Sequence, residues 1–325
     1  MKAFEFEKAA FEWGMKTFKF PKGKFLKKGF KPLSIGIADF SIIKKGNTYH
    51  LFHIERRENG FPLFPGNEIF FGHTTTKDFC NWEVHQPALF ISPDSWDNTH
   101  IWAPYVFKHN NTFYMFYTGV NQYGSQSIGL ATSKDLFNWK KHKKNPIFTP
   151  PKWAYWHPEK PSPCRDPHIY YENNKFYLLY TASKKTGETC IGIAESANLL
   201  TWKDKGTLYT GPKNYSFPLK SKIPAHAESS CVHKFNDKYY LFIGINGGIR
   251  VFISDNLNNF TTPGKLIIKN QTSLEIIKRN DNEKKWIAAA FGLYDNKLYL
   301  HTLDFTDEIP TASPIKNPRK LNIIS

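Results

Sequence analysis

Paired cysteines, long apolar runs and metal-binding motifs are scarce in this 325-residue chain. Its four cysteines include no Cys-x-x-Cys pair, which argues against a zinc or redox site, and we expect all four to be reduced. No run approaches the roughly 18 apolar residues of a membrane span, and the N-terminus lacks the apolar segment of a signal peptide. No His-x-His or His-Glu-x-x-His spacing is present. We therefore expect no metal, no cofactor and no membrane partner. We also expect a cytoplasmic location, with a periplasmic or secreted one as the alternative if a leader was removed.

The charge is strongly unbalanced, with a formal net charge of +16. Such a balance is compatible with a nucleic acid or another anionic polymer as partner. The lysines are scattered mainly through predicted turns, however, and no nucleic-acid-binding motif accompanies them. We expect no nucleic-acid partner. An acidic glycan substrate and a basic scaffold that binds an anionic polymer stay open as alternatives.

A unit of short predicted strands recurs along the chain. In each copy, apolar runs of four to eight residues alternate with Asn, Gly and Lys clusters, which is typical of antiparallel strands. The aromatic residue that opens the second run recurs at steps of 64, 63 and 63 residues. The four clear copies are Ala38–Trp82, Ala103–Trp139, Cys164–Trp202 and Glu228–Phe260.

This period predicts an all-β, five-bladed β-propeller, because about four strands per repeat favour a radial array. The fifth blade is the degenerate stretch Ser273–Asp304, and the alternative is two unrelated β-sandwiches. We expect one domain over residues 1–325. Within it, residues 1–33 form an N-terminal extension or a ring-closing segment, and residues 305–325 form a C-terminal strap.

Carboxylates open three of the repeats. They are Asp39 in the first, Asp166 in the third and Glu228 in the fourth, whereas the second opens with Ala103-Pro104. An acid before a strand can simply cap a turn. Because the first strand of each propeller blade lines the central axis, we expect these three acids to converge. Converging carboxylates repel, which raises at least one pKa and makes acid and base roles available together.

At these motifs the chain resembles the five-bladed propeller glycoside hydrolases of family 43 and, more distantly, families 32 and 68. The resemblance is carried by Ala38-Asp39, Ile101–Pro104, Arg165-Asp166-Pro167, Glu228 and the Gly72–Trp82 strand ending. The Arg-Asp-Pro sequence is most similar to family 32. Two departures concern the subfamily: Phe40 stands where family 43 usually has proline, and Ser229-Ser230 replaces a common Gly-Pro. The Asn-Asp-Pro-Asn motif of family 32 is also absent.

The resemblance implies a three-carboxylate hydrolase of glycosidic bonds. Asp39 would be the general base or the nucleophile, Glu228 the general acid, and Asp166 the residue that orients that acid. We expect a furanoside or xyloside as substrate, as for an arabinofuranosidase or β-xylosidase, and inversion as in family 43. The alternatives are a retaining fructofuranosidase of family 32 type and a carbohydrate-binding propeller without turnover. The expected partner is an oligosaccharide or glycoside.

Five further residues are candidate substrate contacts. Phe40 and Trp102 flank opening positions and either form a platform for a sugar ring or pack in the core. Arg165 belongs to the motif shared with family 32, and His226 lies two residues before Glu228. Arg250 occupies a third-strand position that is glycine in the three earlier repeats. It either reaches the pocket or lies exposed beside the blade.

Overall fold

The described part of the chain consists of antiparallel strands joined by turns and loops. The computed structural model describes residues 23–26, 29–30, 36–56, 67–213, 227–260 and 263–318. These residues contain 22 β-strands. No helix in them is long and apolar enough to cross a membrane.

The strands form five groups of four, which are the blades of a propeller, preceded by a two-strand segment. The two-strand segment is β1 (Gly23–Leu26) and β2 (Gly29–Phe30). Blade one contains β3 (Gly36–Lys45), β4 (Thr48–Arg56), β5 (Phe70–Thr76) and β6 (Asn81–Phe90). Blade two contains β7 (His100–His109), β8 (Thr112–Val120), β9 (Gln126–Ser133) and β10 (Lys140–Lys141). Blade three contains β11 (Cys164–Glu172), β12 (Lys175–Ser183), β13 (Glu188–Ser196) and β14 (Lys203–Lys213). Blade four contains β15 (Ala227–Phe235), β16 (Lys238–Ile245), β17 (Gly248–Ser254) and β18 (Lys265–Lys269). Blade five contains β19 (Gln271–Asn280), β20 (Lys285–Gly292), β21 (Leu298–Asp304) and β22 (Thr311–Pro314).

The predicted five-bladed β-propeller is confirmed. Blades two, three and four are separate four-stranded antiparallel sheets. The fifth blade covers the predicted stretch Ser273–Asp304, and β22 adds a strand from the segment expected to be a strap. In the described residues, four clusters of buried hydrophobic side chains hold the sheets together. The four cysteines are free, as expected.

The N-terminal segment joins the first and last blades. β1 pairs with β6 of blade one, and β2 pairs with both β1 and β21 of blade five. Blades one and five therefore share one continuous sheet. The remainder of segment 1–33 and residues 319–325 of the predicted strap lie outside the described residues. The single-domain assignment stays a prediction.

A polar turn ends the third strand of several blades, and blade two shows its construction. The Ser133 hydroxyl accepts the Leu136 N–H at 2.9 Å, and Asp135 Oδ1 accepts the Asn138 N–H at 2.8 Å. Leu136 has a φ of 75°, and its carbonyl accepts the indole N–H of Trp139 at 3.0 Å. Blades one and three repeat this turn. The turn thus holds the indole N–H of Trp82 and of Trp139 in blades one and two, whereas the Trp202 indole Nε1 of blade three has no hydrogen-bond partner.

The third-strand glycines make room for aromatic rings. A Cβ added at Gly192 would lie 2.3 Å from the ring of Tyr180 on the neighbouring strand, and Gly129 accommodates a tyrosine in the same way. In blade four the cross-strand partner is the smaller Ile243, opposite Arg250. A long side chain therefore fits there and not in blades two and three.

Each blade's first strand contains a β-bulge near its start. In all five blades two residues of the first strand lie opposite one residue of the second, so the register shifts by one residue. Bulges re-aim side chains and interrupt pairing. The bulged residue pairs are Ala38-Asp39, Ala103-Pro104, Asp166-Pro167, Ser229-Ser230 and Ser273-Leu274.

Candidate active site

The five bulges surround a narrow cavity of about 40 Å³, called the axial cavity below, and residues of all five blades line it. Asp39 and Asp166 are among these residues. Glu228 lies directly before the blade-four bulge and is linked to Asp166 through Arg165. The structure therefore brings the three predicted carboxylates together.

The three acids occupy successive positions relative to the bulge. Asp39 is the second bulged residue of its blade, Asp166 is the first, and Glu228 precedes its bulge. The sequence comparison instead placed Asp39 and Asp166 at matching positions. The three carboxyl groups thus approach the cavity from different backbone positions, which gives each a different set of partners.

Asp166 is the most enclosed of the three. Its side chain is 5% exposed, and its Oδ2 accepts hydrogen bonds from the Thr181 hydroxyl at 2.9 Å and from the Ser229 N–H at 3.1 Å. Its own N–H donates to the Thr118 hydroxyl at 3.1 Å. This hydrogen bond helps to stabilise the left-handed backbone conformation of Asp166, which has a φ of 57°. Burial raises the pKa of Asp166, the Arg165 guanidinium lowers it, and the net direction is upward.

Arg165 bridges two of the carboxyl groups. Its Nη2 lies 3.1 Å from Glu228 Oε2, and its Nε lies 3.5 Å from Asp166 Oδ2. Burial alone would lower the pKa of Arg165, but Asp166 and Glu228 raise it overall, so the guanidinium stays cationic. The Glu228 side chain is 32% exposed and is therefore accessible from solvent. The predicted substrate contact of Arg165 stays a prediction.

Asp39 is held by hydroxyl groups. Its Oδ1 accepts the Ser229 hydroxyl at 3.3 Å and also the hydroxyl of Ser273 from blade five. Such donors favour the ionised form of a carboxyl group. Two carboxyl groups side by side, one of them accessible from solvent, are the arrangement that cleaves acetals by general acid–base catalysis.

Phe40 and Trp102 are placed differently around this site. Phe40 lines the axial cavity but is 3% exposed and belongs to the hydrophobic core, so the structure favours its packing role. Trp102 directly precedes the blade-two bulge and stacks on His100 at a centroid distance of 5.6 Å. Its indole Nε1 is buried without a hydrogen-bond partner. Its expected contact with a sugar stays a prediction.

Arg250 is not brought to the carboxylates. It lines a different pocket, between blades three and four, together with Tyr209 and Phe252, and none of that pocket's residues lines the axial cavity. Its Nη1 donates to the Gly264 carbonyl at 2.8 Å. His226, the remaining predicted contact, lies outside the described residues.

The sequence analysis missed the hydroxyl groups that hold the acids. Ser229 was noted only as a departure from Gly-Pro, and Ser273 and Thr181 were not considered. A signal did exist, because Ser229 and Ser273 occupy the bulge position that Asp166 occupies in blade three. Among the described residues, no three or more His, Cys, Asp or Glu side chains are arranged so that they could hold a metal ion.

A family model described as "Glycosyl hydrolases family 32 N-terminal domain" matches residues 40–219. This range contains Asp166 and excludes Asp39 and Glu228, which lie just outside it. More than half of the chain is thus similar to this domain. The two remaining acids are identified from the geometry and not from the match.

The known proteins to which the chain is similar include an invertase, an arabinanase and a fructan exohydrolase. The chain is 25% identical to an invertase of Debaryomyces hansenii over 223 residues, covering 63% of this chain and 37% of that protein. It is 30% identical to an extracellular endo-α-(1→5)-L-arabinanase of Bacillus subtilis over 120 residues, covering 35% and 36%. The structure of fructan 1-exohydrolase IIa from Cichorium intybus superposes with a TM-score of 0.69 at 17% identity, covering 91% of this chain and 60% of that one. The matches span 24% to 37% of the length of the first curated relatives.

Proposed function

The chain belongs to the glycosyl hydrolase family 32 N-terminal-domain family, and from this premise we propose that it hydrolyses β-fructofuranosidic bonds in sucrose or a fructan. The observation that carries the proposal is Arg165, which bridges Asp166 and Glu228 within 3.5 Å. It is the arginine of the Arg-Asp-Pro sequence that resembles family 32. The invertase and fructan exohydrolase similarities support the same substrate class. This proposal replaces an arabinofuranoside or xyloside as the first expectation.

In the proposed reaction Asp39 is the nucleophile. Its carboxylate attacks the anomeric carbon of the fructosyl unit while Glu228 donates its proton to the departing oxygen, so the glycosidic bond breaks as an ester bond forms. Glu228, now ionised, then takes a proton from water, and the resulting hydroxide displaces Asp39 and releases fructose. The anomeric configuration is retained, whereas family 43 resemblance led to an expectation of inversion.

Arg165 and Asp166 support these steps. Arg165 lies 3.1 Å from Glu228 and holds its carboxyl group in place during both proton transfers. Asp166 is buried beside it and acts on the cluster through charge and hydrogen bonds. Electrostatic stabilisation of this kind is effective because the donors are fixed before the reaction.

Hydrolysis of an α-1,5-arabinan is the second candidate. The arabinanase similarity favours it, with 30% identity over 120 residues. The same three carboxylates would serve, because the propeller places them independently of the sugar. The two candidates differ in the ring that the pocket accepts and in the stereochemical outcome.

One substrate panel separates these functions. We expect release of fructose from sucrose or inulin, and little sugar from linear arabinan or from nitrophenyl arabinofuranoside and xyloside. ¹³C NMR of the first-formed fructose, read at the C2 signal, should show the β-furanose form and therefore retention. Glu228→Gln should abolish sucrose cleavage, and it should affect activated aryl fructosides less because their leaving groups need less protonation. Arabinan cleavage without fructose release would favour the second candidate, and substrate binding without any turnover would favour a binding propeller.

A further inference from the structure

Two serine hydroxyls from different blades meet the same oxygen of Asp39. Ser229 of blade four and Ser273 of blade five both donate to Oδ1. Both residues are the first residue of the bulge in their blade. The repeat therefore delivers two equivalent hydroxyls, from neighbouring blades, to one atom of the proposed nucleophile.

The backbone at these serines is unusual. Ser229 has a φ of 51° and Ser273 a φ of 55°, in the left-handed region that favours glycine. Strain of this kind, of the order of 1 kcal/mol or more per residue, persists where the surroundings enforce it and clusters at functional sites. The first bulged residue of blade two, Ala103, also has a positive φ, of 44°, so this backbone conformation belongs to the bulge, and the case for the serines rests on their hydroxyl contacts with Asp39.

We propose that Ser229 and Ser273 are positioning residues that clamp the Asp39 carboxylate, fixing its orientation and keeping it ionised for attack on the sugar. This inference rests on the proposed function and adds two residues to it. Ser229 also donates its backbone N–H to Asp166 Oδ2 at 3.1 Å. One bulge residue therefore holds the carboxyl groups of two of the three acids in place.

The clamp answers an electrostatic problem. Asp39 shares its surroundings with Asp166 and Glu228, and both repel a second negative charge. The positive charge of the Arg165 guanidinium offsets part of this repulsion, because it attracts the carboxyl groups of all three acids. The groups that face the cluster from the strands packed around it are Arg165 and Asp166 on β11, Glu228 on β15, Glu275 on β19, and the side chains of Tyr105 on β7 and His168 on β11.

Glycine variants test the clamp without adding strain. Ser229→Gly and Ser273→Gly remove the hydroxyl while relaxing the backbone. A hydrogen bond to a charged group corresponds to about one to two powers of ten in an equilibrium constant. We expect kcat on sucrose to fall about tenfold or more in each variant, with KM little changed. The acidic limb of the kcat/KM profile should move to higher pH, because Asp39 loses a donor to its ionised form.

The matched control is a buried serine that does not line the cavity. Ser125 lies directly before β9 and is 4% exposed, and its hydroxyl has no hydrogen-bond partner. Ser125→Ala therefore removes a buried hydroxyl without touching Asp39 or the cavity. Its kinetics and pH profile should match those of the unaltered protein, and an equal shift in this variant would overturn the specific role of the clamp.

A second readout does not depend on catalysis. ¹³C NMR titration of labelled aspartate, with the Asp39 signal assigned by its loss in Asp39→Asn, measures the pKa of this carboxyl group directly. We expect it to rise by about one unit in each glycine variant. An unchanged titration in both variants would refute the clamp. A shifted titration in a protein that cleaves no glycoside would support the clamp and refute the proposed function.

Discussion

At the scale of residues, each carboxyl group in the cluster is held by a different kind of donor. Asp166 is buried among hydroxyl and amide donors, Glu228 meets a guanidinium at the solvent-accessible side, and Asp39 meets two hydroxyls. Environments that differ in this way separate the protonation states of neighbouring acids. A group that must donate a proton and one that must stay ionised can thus work side by side.

Asp39→Asn tests the role of the nucleophile. The amide nearly preserves shape but removes the negative charge, so turnover should fall by several orders of magnitude while the thermal unfolding midpoint changes little. Steady-state kinetics on sucrose and a melting curve by circular dichroism measure the two quantities. Turnover above about a tenth of the unaltered value would contradict the assignment.

The raised pKa of Glu275 leads us to expect a pH dependence of folding stability that is separate from catalysis. This carboxyl group lines the axial cavity, and burial raises its pKa to about 8 against a smaller lowering by the Ser41 hydroxyl. Because its folded-state pKa is raised, its contribution to stability is fully present below its unfolded value of about 4.5 and is lost as pH rises through about 8. Glu275→Gln removes this loss.

Melting curves of Glu275→Gln and the unaltered protein from pH 4 to pH 9 measure the effect. The melting temperature of the variant minus that of the unaltered protein should increase across this interval. The difference should level off above pH 8, near the pKa of Glu275. A difference that is constant with pH would show that Glu275 does not change its ionisation on folding in this range.

At the residue level, the convergence of the three carboxylates was predictable and the hydroxyl groups beside them were missed. Three carboxylates at repeat openings are conspicuous in a sequence, and their catalytic roles stay predictions. Ser273 was missed because blade five carries no acid or proline at its bulge to mark the position. Arg250 was expected to reach the pocket or lie exposed, and the structure instead uses it to bind the Gly264 carbonyl. Its side-chain direction depends on the pleat and on Ile243 opposite it, which composition does not encode.

At the scale of elements, the recurring features are the bulge before the core strand and the polar turn before the Trp. The turn was visible in the sequence as a regular Ser/Thr, Asp/Asn and Trp spacing. The bulge was not, because it shifts the register by backbone conformation and leaves the apolar alternation of the strand intact. The sequence therefore predicted which strands line the axis and missed the successive positions of Asp39, Asp166 and Glu228.

The turn in blade two predicts a stability effect. Asp135 accepts backbone N–H groups, and these hydrogen bonds, led by that of Asn138, lower its pKa. Asp135→Ala should decrease the free energy of unfolding by about 1–2 kcal/mol, measured by urea denaturation. Asp135→Asn is the control, because Asn198 accepts the same N–H groups in blade three. Equal losses in both variants would show that the acceptor oxygen is not what stabilises the turn.

At the scale of the molecule, the circular arrangement was predictable, and closure of the ring was one of the two expectations for residues 1–33. The period of about 63 residues defines the number of blades. Segment 1–33 has no period that marks it as part of a blade, and its two described strands are stabilised by pairing with distant edges. Such pairing depends on tertiary contacts more than on local propensity.

The joining segment predicts a loss of stability on truncation. Deletion of residues 1–30 removes β1 and β2. β6 then loses its pairing at Asn81 and Trp82, and β21 loses its pairing at Leu298 while keeping β22, and unpaired edges promote aggregation. We expect a lower melting temperature and a concentration-dependent loss of monomer in size-exclusion chromatography. Deletion of residues 1–22, which keeps both strands, is the control. Identical behaviour of the two deletions would mean that β1 and β2 contribute nothing to stability.

The pairing of β2 with β21 also has a consequence for biosynthesis. Phe30 lies opposite Leu298, so almost the whole chain is translated between these two partners. On the ribosome the first strands emerge early and have no partner on one side until the last blade has left the exit tunnel. Domains fold as their chain emerges, but this ring can close only after the last blade has been synthesised. The yield of protein in a cell therefore depends on how open sheet edges are protected during translation, a quantity that equilibrium unfolding does not measure.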